Sequence, residues 1–230
     1  LKLAQGDIRG VTVKDYSVDE KTGRLNRRST VALDKKAGAK KWTISPAVPA
    51  KVLNGKTIEE LTSEVAGMRL VGVRPYSNSW LQERGFYLGR TPNGAQQLFG
   101  NEGELQLVAK TGLVYHLFFG EIALGDDVDK GAKKAKAETK TGVDHNRYMA
   151  IFVQYERRFD ESIPAPEFPP AMPKPNPEGT GALVPPKPKG PPKNLVAINK
   201  AVADGEARAK KAQTRFQKFF YVVSDKSFKK

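Results

Sequence analysis

Residues 104–121 read ELQLVAKTGLVYHLFFGE. Lys110, Thr111 and Gly112 stand as a three-residue loop between two alternating runs, and glycine in the third place supplies the left-handed conformation that such a hairpin needs. The loop sets the register. Ala109 faces Leu113, Leu107 faces Tyr115 and Leu105 faces Leu117 on one side, while Val108/Val114, Gln106/His116 and Glu104/Phe118 lie on the other. The first side is apolar throughout, which marks a core hairpin.

Outward from this hairpin the signals are those of an antiparallel sheet. Residues 86–88 and 96–99 flank Pro92-Asn93-Gly94, a turn signal, and predict a second hairpin just upstream and an antiparallel meander. Residues 148–155, YMAIFVQY, are almost continuously apolar, as in a central strand covered on both faces. Nearer the start, residues 8–16 alternate as a strand, 19–28 read as a charged turn around Gly23, and 30–33 and 41–44 are short strands, the latter anchored by Trp42. Asn54 caps a helix whose apolar positions Ile58, Leu61, Val65 and Met68 step by three and four residues. Residues 70–73 form an apolar run stopped by Pro75, leading towards a second sheet region from Trp80.

Twelve of the sixteen prolines fall between 164 and 192, a tract that cannot form a regular ladder and reads as an exposed loop. Its end, PPKPKGPPK at 185–193, is read as a spacer in preference to a ligand of proline-reading modules. Order then returns. Leu195, Ile198, Val202, Gly205, Ala209, Ala212, Phe216 and Phe219 make one narrow stripe along a helix, thin in the middle so that it can lie close to its neighbour, and 221–223 are a final strand. The expectation is an α+β protein: antiparallel sheet regions with an early helix and a long C-terminal helix packed on the sheet. The divisions are 1–75 (an N-terminal α+β region), 76–163 (the meander), 164–193 (the proline-rich exposed loop) and 194–230 (helix and strand completing the core).

The 230 residues carry 39 basic and 25 acidic groups, a net charge of +14, and no cysteine. Thiol chemistry and disulfides are thereby excluded. No apolar run approaches the roughly 20 residues of a membrane span and no signal peptide is read. Because the chain begins at Leu1, it reads as a fragment or processed product with an upstream targeting or anchoring segment outside it. The basic balance suits polyanions, and possible polyanion contacts are Lys133, Lys134 and Lys136 in the lysine-rich stretch 126–146, and Lys210, Lys211, Arg215 and Lys218 along the last helix. Most aromatics fall on apolar faces, however, so a solvated basic surface is favoured and specific nucleic-acid binding is not expected.

Motifs for chemistry fail on inspection. Residues 50–57, AKVLNGKT, match a loose phosphate-loop pattern, but Pro46 and Pro49 separate the preceding strand and bulky Val52 and Leu53 fill the turn; Asn54-Gly55 is read as a helix start. Asp127, Asp129 and Glu138 have calcium-loop spacing, yet Gly131 stands at a ligand place, Ala132 at the turn glycine, and four lysines intervene. The two histidines, His116 on the hairpin and His145 in the basic stretch, are too few for a multi-histidine metal site. The neighbouring carboxylates Glu59/Glu60 and Asp126/Asp127 point apart on regular elements. No catalytic, cofactor-binding or metal-binding residue is assigned, and the reading is of a non-enzyme without a cofactor.

Four blocks together, MRLVGVRP at 68–75, RGFYLG at 84–89, NEGELQLVAKTGLVYHLFFGE at 101–121 and RFQKFFYVVSDKSFKK at 215–230, resemble the bacterial domain of unknown function 4340 in its planctomycete form. Members of that family resemble envelope proteins with one N-terminal membrane helix and an extracytoplasmic α+β region, often encoded near ABC-type transporter components associated with gliding motility. The resemblance implies a periplasmic accessory or scaffold module, membrane-anchored in the full-length protein through a segment absent from this chain, with protein partners in the envelope. It transfers no site residue. This chain departs from the pattern in its long lysine- and proline-rich excursion.

Overall fold

The computed structural model describes residues 3–39, 41–46, 53–90, 94–123, 146–168 and 191–224. In chain order the elements are β1 (Ile8–Val18), β2 (Leu25–Asp34), β3 (Thr43–Ser45), α1 (Gly55–Ala66), β4 (Leu70–Pro75), β5 (Phe86–Arg90), β6 (Gln96–Gly100), β7 (Glu104–Ala109), β8 (Thr111–Ala123), β9 (Asn146–Asp160), α2 (Leu195–Phe216) and β10 (Phe219–Ser224). Eight strands form one antiparallel sheet in the order β3-β2-β1-β7-β8-β9-β10-β4, and β5 and β6 pair in a two-stranded sheet of their own. The protein is α+β, mostly antiparallel sheet, with a short early helix and a long C-terminal one.

The β7–β8 hairpin has the register that its loop dictates, with Leu107 opposite Tyr115 and Leu105 opposite Leu117, and Gly112 has φ 75°. Its apolar side joins Ile8, Met149, Val153 and Tyr221 in the main core, which α2 closes through Ala209 and Phe216 and α1 through Ile58 and Val65. Asn54 caps α1, its side chain accepting from the Lys56 N–H. The other side of the sheet has a smaller core. There Phe118, Tyr148, Ala150, Phe220 and Val222 pack beneath Leu81 and Phe86, with Leu98 at the margin, so the small sheet lies across this second face.

Two expectations are corrected. The meander runs without interruption only through β7, β8 and β9, because β6 does not pair with β7; β1 takes that place. At Gly100 the chain passes directly over β8, where a Cβ would lie 2.2 Å from the Phe119 carbonyl oxygen, and the turn after it lifts β6 out of the sheet plane. The charged turn expected over 19–28 is also shorter. Asp19 accepts the Lys21 and Thr22 N–H groups and its carbonyl accepts that of Gly23, so the reversal closes early and β2 begins at Leu25. Arg28 fits an exposed strand because Asp15 on β1 meets it at 2.6 Å.

At the C-terminal side, Lys193 N–H donates to the Glu167 carbonyl at 2.8 Å, while the Asn194 side chain accepts from Glu167 N–H and donates to the Ala165 carbonyl. The proline-rich tract therefore leaves and re-enters at one point. The stretch 124–145, with Lys133, Lys134, Lys136, His145 and the calcium-like spacing, lies outside the described residues, as do 47–52 and 169–190.

Candidate functional site

The composition of β9 predicts cover on both faces; on the second face the cover is incomplete. The small sheet covers Phe118 and Ala150 but stops short of Phe152, which lies opposite His116 and is 44% exposed. Strand length explains the gap. β9 has 15 residues and β10 only 6, and their pairing spans Asn146 to Met149 against Ser224 to Tyr221. From Ile151 onward no strand among the described residues lies on that side of β9.

The result is a groove of about 860 Å³, within the size range of ligand sites. Its floor is Phe118, Ala150 and Phe152; Leu88 and Leu98 of the small sheet make one wall, and Phe219 with Tyr76 the other. Leu88 is 48% exposed and Phe219 38%, so large apolar side chains from three separate elements face one hollow. The rim is amide-rich, with Gln154, Gln213 and Gln217 beside the β9 edge and Gln96 and Gln97 opposite. At the edge itself, Val153 N–H donates to the Gln213 side-chain oxygen at 2.6 Å, so α2 supplies by side chain what a neighbouring strand would supply by backbone.

Beneath the floor is a buried charged group. Glu104, diagonal to His116 across the hairpin, has its carboxylate 3.0 Å from Lys14 Nζ through both oxygens and 2.6 Å from His116 Nδ1. Burial alone would raise the Glu104 pKa, but the hydrogen bond to His116 and the Lys14 charge outweigh it and hold the carboxyl below its ordinary value. Against an ionised carboxylate Nδ1 carries the proton, and Nε2 is buried with no hydrogen-bond partner among the described residues. The ring stacks on Phe118 with centroids 6.2 Å apart and meets Phe152 at 6.1 Å. Among the described residues no serine or threonine lines the groove, and Tyr76 is the one hydroxyl-bearing residue in its lining.

The basic residues singled out from sequence divide. Lys210, Lys211 and Arg215 are exposed along the last part of α2, and Lys218, just beyond it, lies on the groove wall. Arg215 also rests its guanidinium 4.6 Å from the Phe216 ring centroid. Sequence reasoning missed Phe152 and Gln213 as surface features. The available signal was the mismatch between a long strand at 148–155 and a final strand too short to flank all of it.

Among the described residues no cluster of three or more histidine and carboxylate side chains is placed to hold a metal ion, and no helix is long and apolar enough to cross a membrane. Comparison of the chain with protein-family models, with curated proteins and with solved structures finds no match.

Proposed function

We propose that this protein is a non-enzymatic interaction module that docks a partner protein in the groove on the second face of its sheet. The observation that carries this reading is the convergence of Phe152, Leu88 and Phe219, each at least 38% exposed, on one hollow. Keeping such side chains in water costs about 25 cal/mol per Å² of apolar surface that a partner would cover. The four-block resemblance adds the setting: an extracytoplasmic accessory or scaffold role serving an ABC-type transporter or surface assembly, with envelope protein partners. Affinity capture from an envelope fraction tests the reading. Phe152→Glu, which changes an exposed side chain, should keep the melting temperature of the parent and lose the proteins that the parent retains. Val196→Glu, at a site 83% exposed on α2 and outside the groove, is the control. Retention of the same proteins by both variants would remove the groove from consideration.

A second reading has one specific observation behind it. Lys210, Lys211, Arg215 and Lys218 lie within nine residues at the end of α2, and all four are exposed. Such a cluster attracts nucleic acid or another polyanion through charge alone.

A further inference from the structure

We infer that the occupant of the groove is an extended, acidic segment of a partner protein that adds as a strand along the edge of β9 beyond Met149, where no strand of the described residues pairs with it; this rests on the groove being a docking site. The two outer edges of the sheet are guarded in ways that β9 is not. β3 is three residues long and Pro46 comes directly after it. β4 ends in Pro75, and the Arg74 guanidinium closes on the Val73 carbonyl at 2.9 Å. On β9 the edge beyond Met149 is interior to the sheet order yet has no strand of the described residues beside it; α2 packs against β9 there, and its Gln213 side chain caps the Val153 N–H. Gln213 offers the same carbonyl group that an incoming peptide would offer, so displacing it exchanges one hydrogen bond for its equal.

Strand addition also matches the groove's polarity. In an added strand every second side chain turns to the same face, which here is the apolar floor at Phe152 and Phe219. The side-chain amides of Gln154 and Gln217 line the same groove and supply donors and acceptors for polar groups of such a segment. Charge selects the acidic version. Among the described residues the lining includes no carboxylate, Lys218 is its one ammonium group, and Lys210, Lys211 and Arg215 extend the positive field past the mouth.

The test is selection from a phage-displayed library of random octapeptides on the intact chain, with synthesis of an enriched peptide. Enriched sequences should alternate apolar residues and carry aspartate or glutamate. N-methylation of alternate backbone amides should weaken binding about tenfold or more, and Lys218→Glu should weaken it several-fold. Gln213→Ala should bind at least as tightly as the parent, and the Val153 amide should exchange more slowly in the complex. An enriched peptide whose binding ignores N-methylation but is lost in Phe152→Glu overturns strand addition and leaves the docking groove standing. Indifference to Phe152→Glu as well overturns both. Enrichment of proline-rich or helix-periodic sequences, or no enrichment at all, also overturns strand addition, while the capture experiment still decides on the groove.

Discussion

Single residues carry the sharpest tests, because at several positions two physical effects oppose each other. Gly205 is in the middle of α2, where replacing glycine by alanine ordinarily stabilises a helix by about 1 kcal/mol. Here the added Cβ would lie 2.3 Å from the Tyr155 ring. Tyr155 has little room to move, since its hydroxyl donates to Asp160 at 2.9 Å and Asp160 also holds Arg208 at 3.2 Å. The hydroxyl's pKa is pushed up to about 12, by burial first and then by that bond to the carboxylate. Overpacking costs about 1–3 kcal/mol, so Gly205→Ala should lower the chemical-denaturation midpoint although propensity alone predicts a rise. At Glu104 the opposing effects are burial and pairing. Its folded pKa is depressed below the ordinary 4.5, so the pairing stabilises the fold above that pH and is lost as pH falls through the folded value. Glu104→Gln should cost on the order of 1–3 kcal/mol at neutral pH by leaving Lys14 and His116 without their anion, and it should flatten stability against pH below 4.5. Denaturation midpoints from about pH 3 to 7 for both proteins measure this, across the range where carboxylates titrate, and parallel curves would refute it.

At the scale of elements, local signals were legible where one short stretch contained all the information. The 104–121 hairpin carried its own loop and both alternating strands, so its register could be read directly, and Gly205 correctly marked where α2 lies close to β9. The capping of α1 by Asn54 was equally local. Choice of strand neighbour is different in kind. Nothing within β7 announces that β1, about ninety residues earlier, and not β6 will pair with it. The length of β2 was hidden by arginines that read as turn yet lie on an exposed strand beside Asp15. The proline-rich tract illustrates what tertiary contacts add. Composition suggested an excursion, and the Glu167–Lys193 hydrogen bond at 2.8 Å, with Asn194 bridging Ala165 and Glu167, shows its two ends already joined. Replacing 169–190 by a short glycine-serine linker should therefore leave the fold intact. A loop about fivefold shorter alters closure entropy by only about 1.4 kcal/mol, in the stabilising direction. Ending the chain at Lys193 instead takes away Ile198, Ala209, Phe216 and all of β10, and should unfold the rest. Thermal melts of the two deletions separate these outcomes, and equal destabilisation would refute the joined-end account.

For the whole molecule, the site was less legible than the fold, and the reason is geometric. The run YMAIFVQY reads as buried on both sides; Phe152 is exposed because of where the small sheet happens to lie and where β10 stops, neither of which is encoded near residue 152. Net charge was legible at once, but its use was not, and the two proposed readings part on that point. If Lys210, Lys211, Arg215 and Lys218 all contact phosphates, duplex DNA binding should fall with a log–log salt slope of about −3.6, roughly a hundredfold between 50 and 200 mM salt. A contact set that small gives weak, sequence-blind binding that nearly vanishes at physiological salt. Docking of a protein segment in the groove should depend less on salt, since the surface covered at Phe152, Leu88 and Phe219 is apolar and Lys218 is the one charged group among the described lining residues. Reversing two exposed charges with Lys211→Glu and Arg215→Glu should thus weaken DNA binding about a hundredfold or more at 50 mM salt, while proteins captured through the groove lose only a few-fold, because Phe152, Leu88 and Phe219 are untouched. Submicromolar, sequence-selective DNA binding at physiological salt in the parent, lost in the double variant, would make the end of α2 the functional surface and the groove secondary.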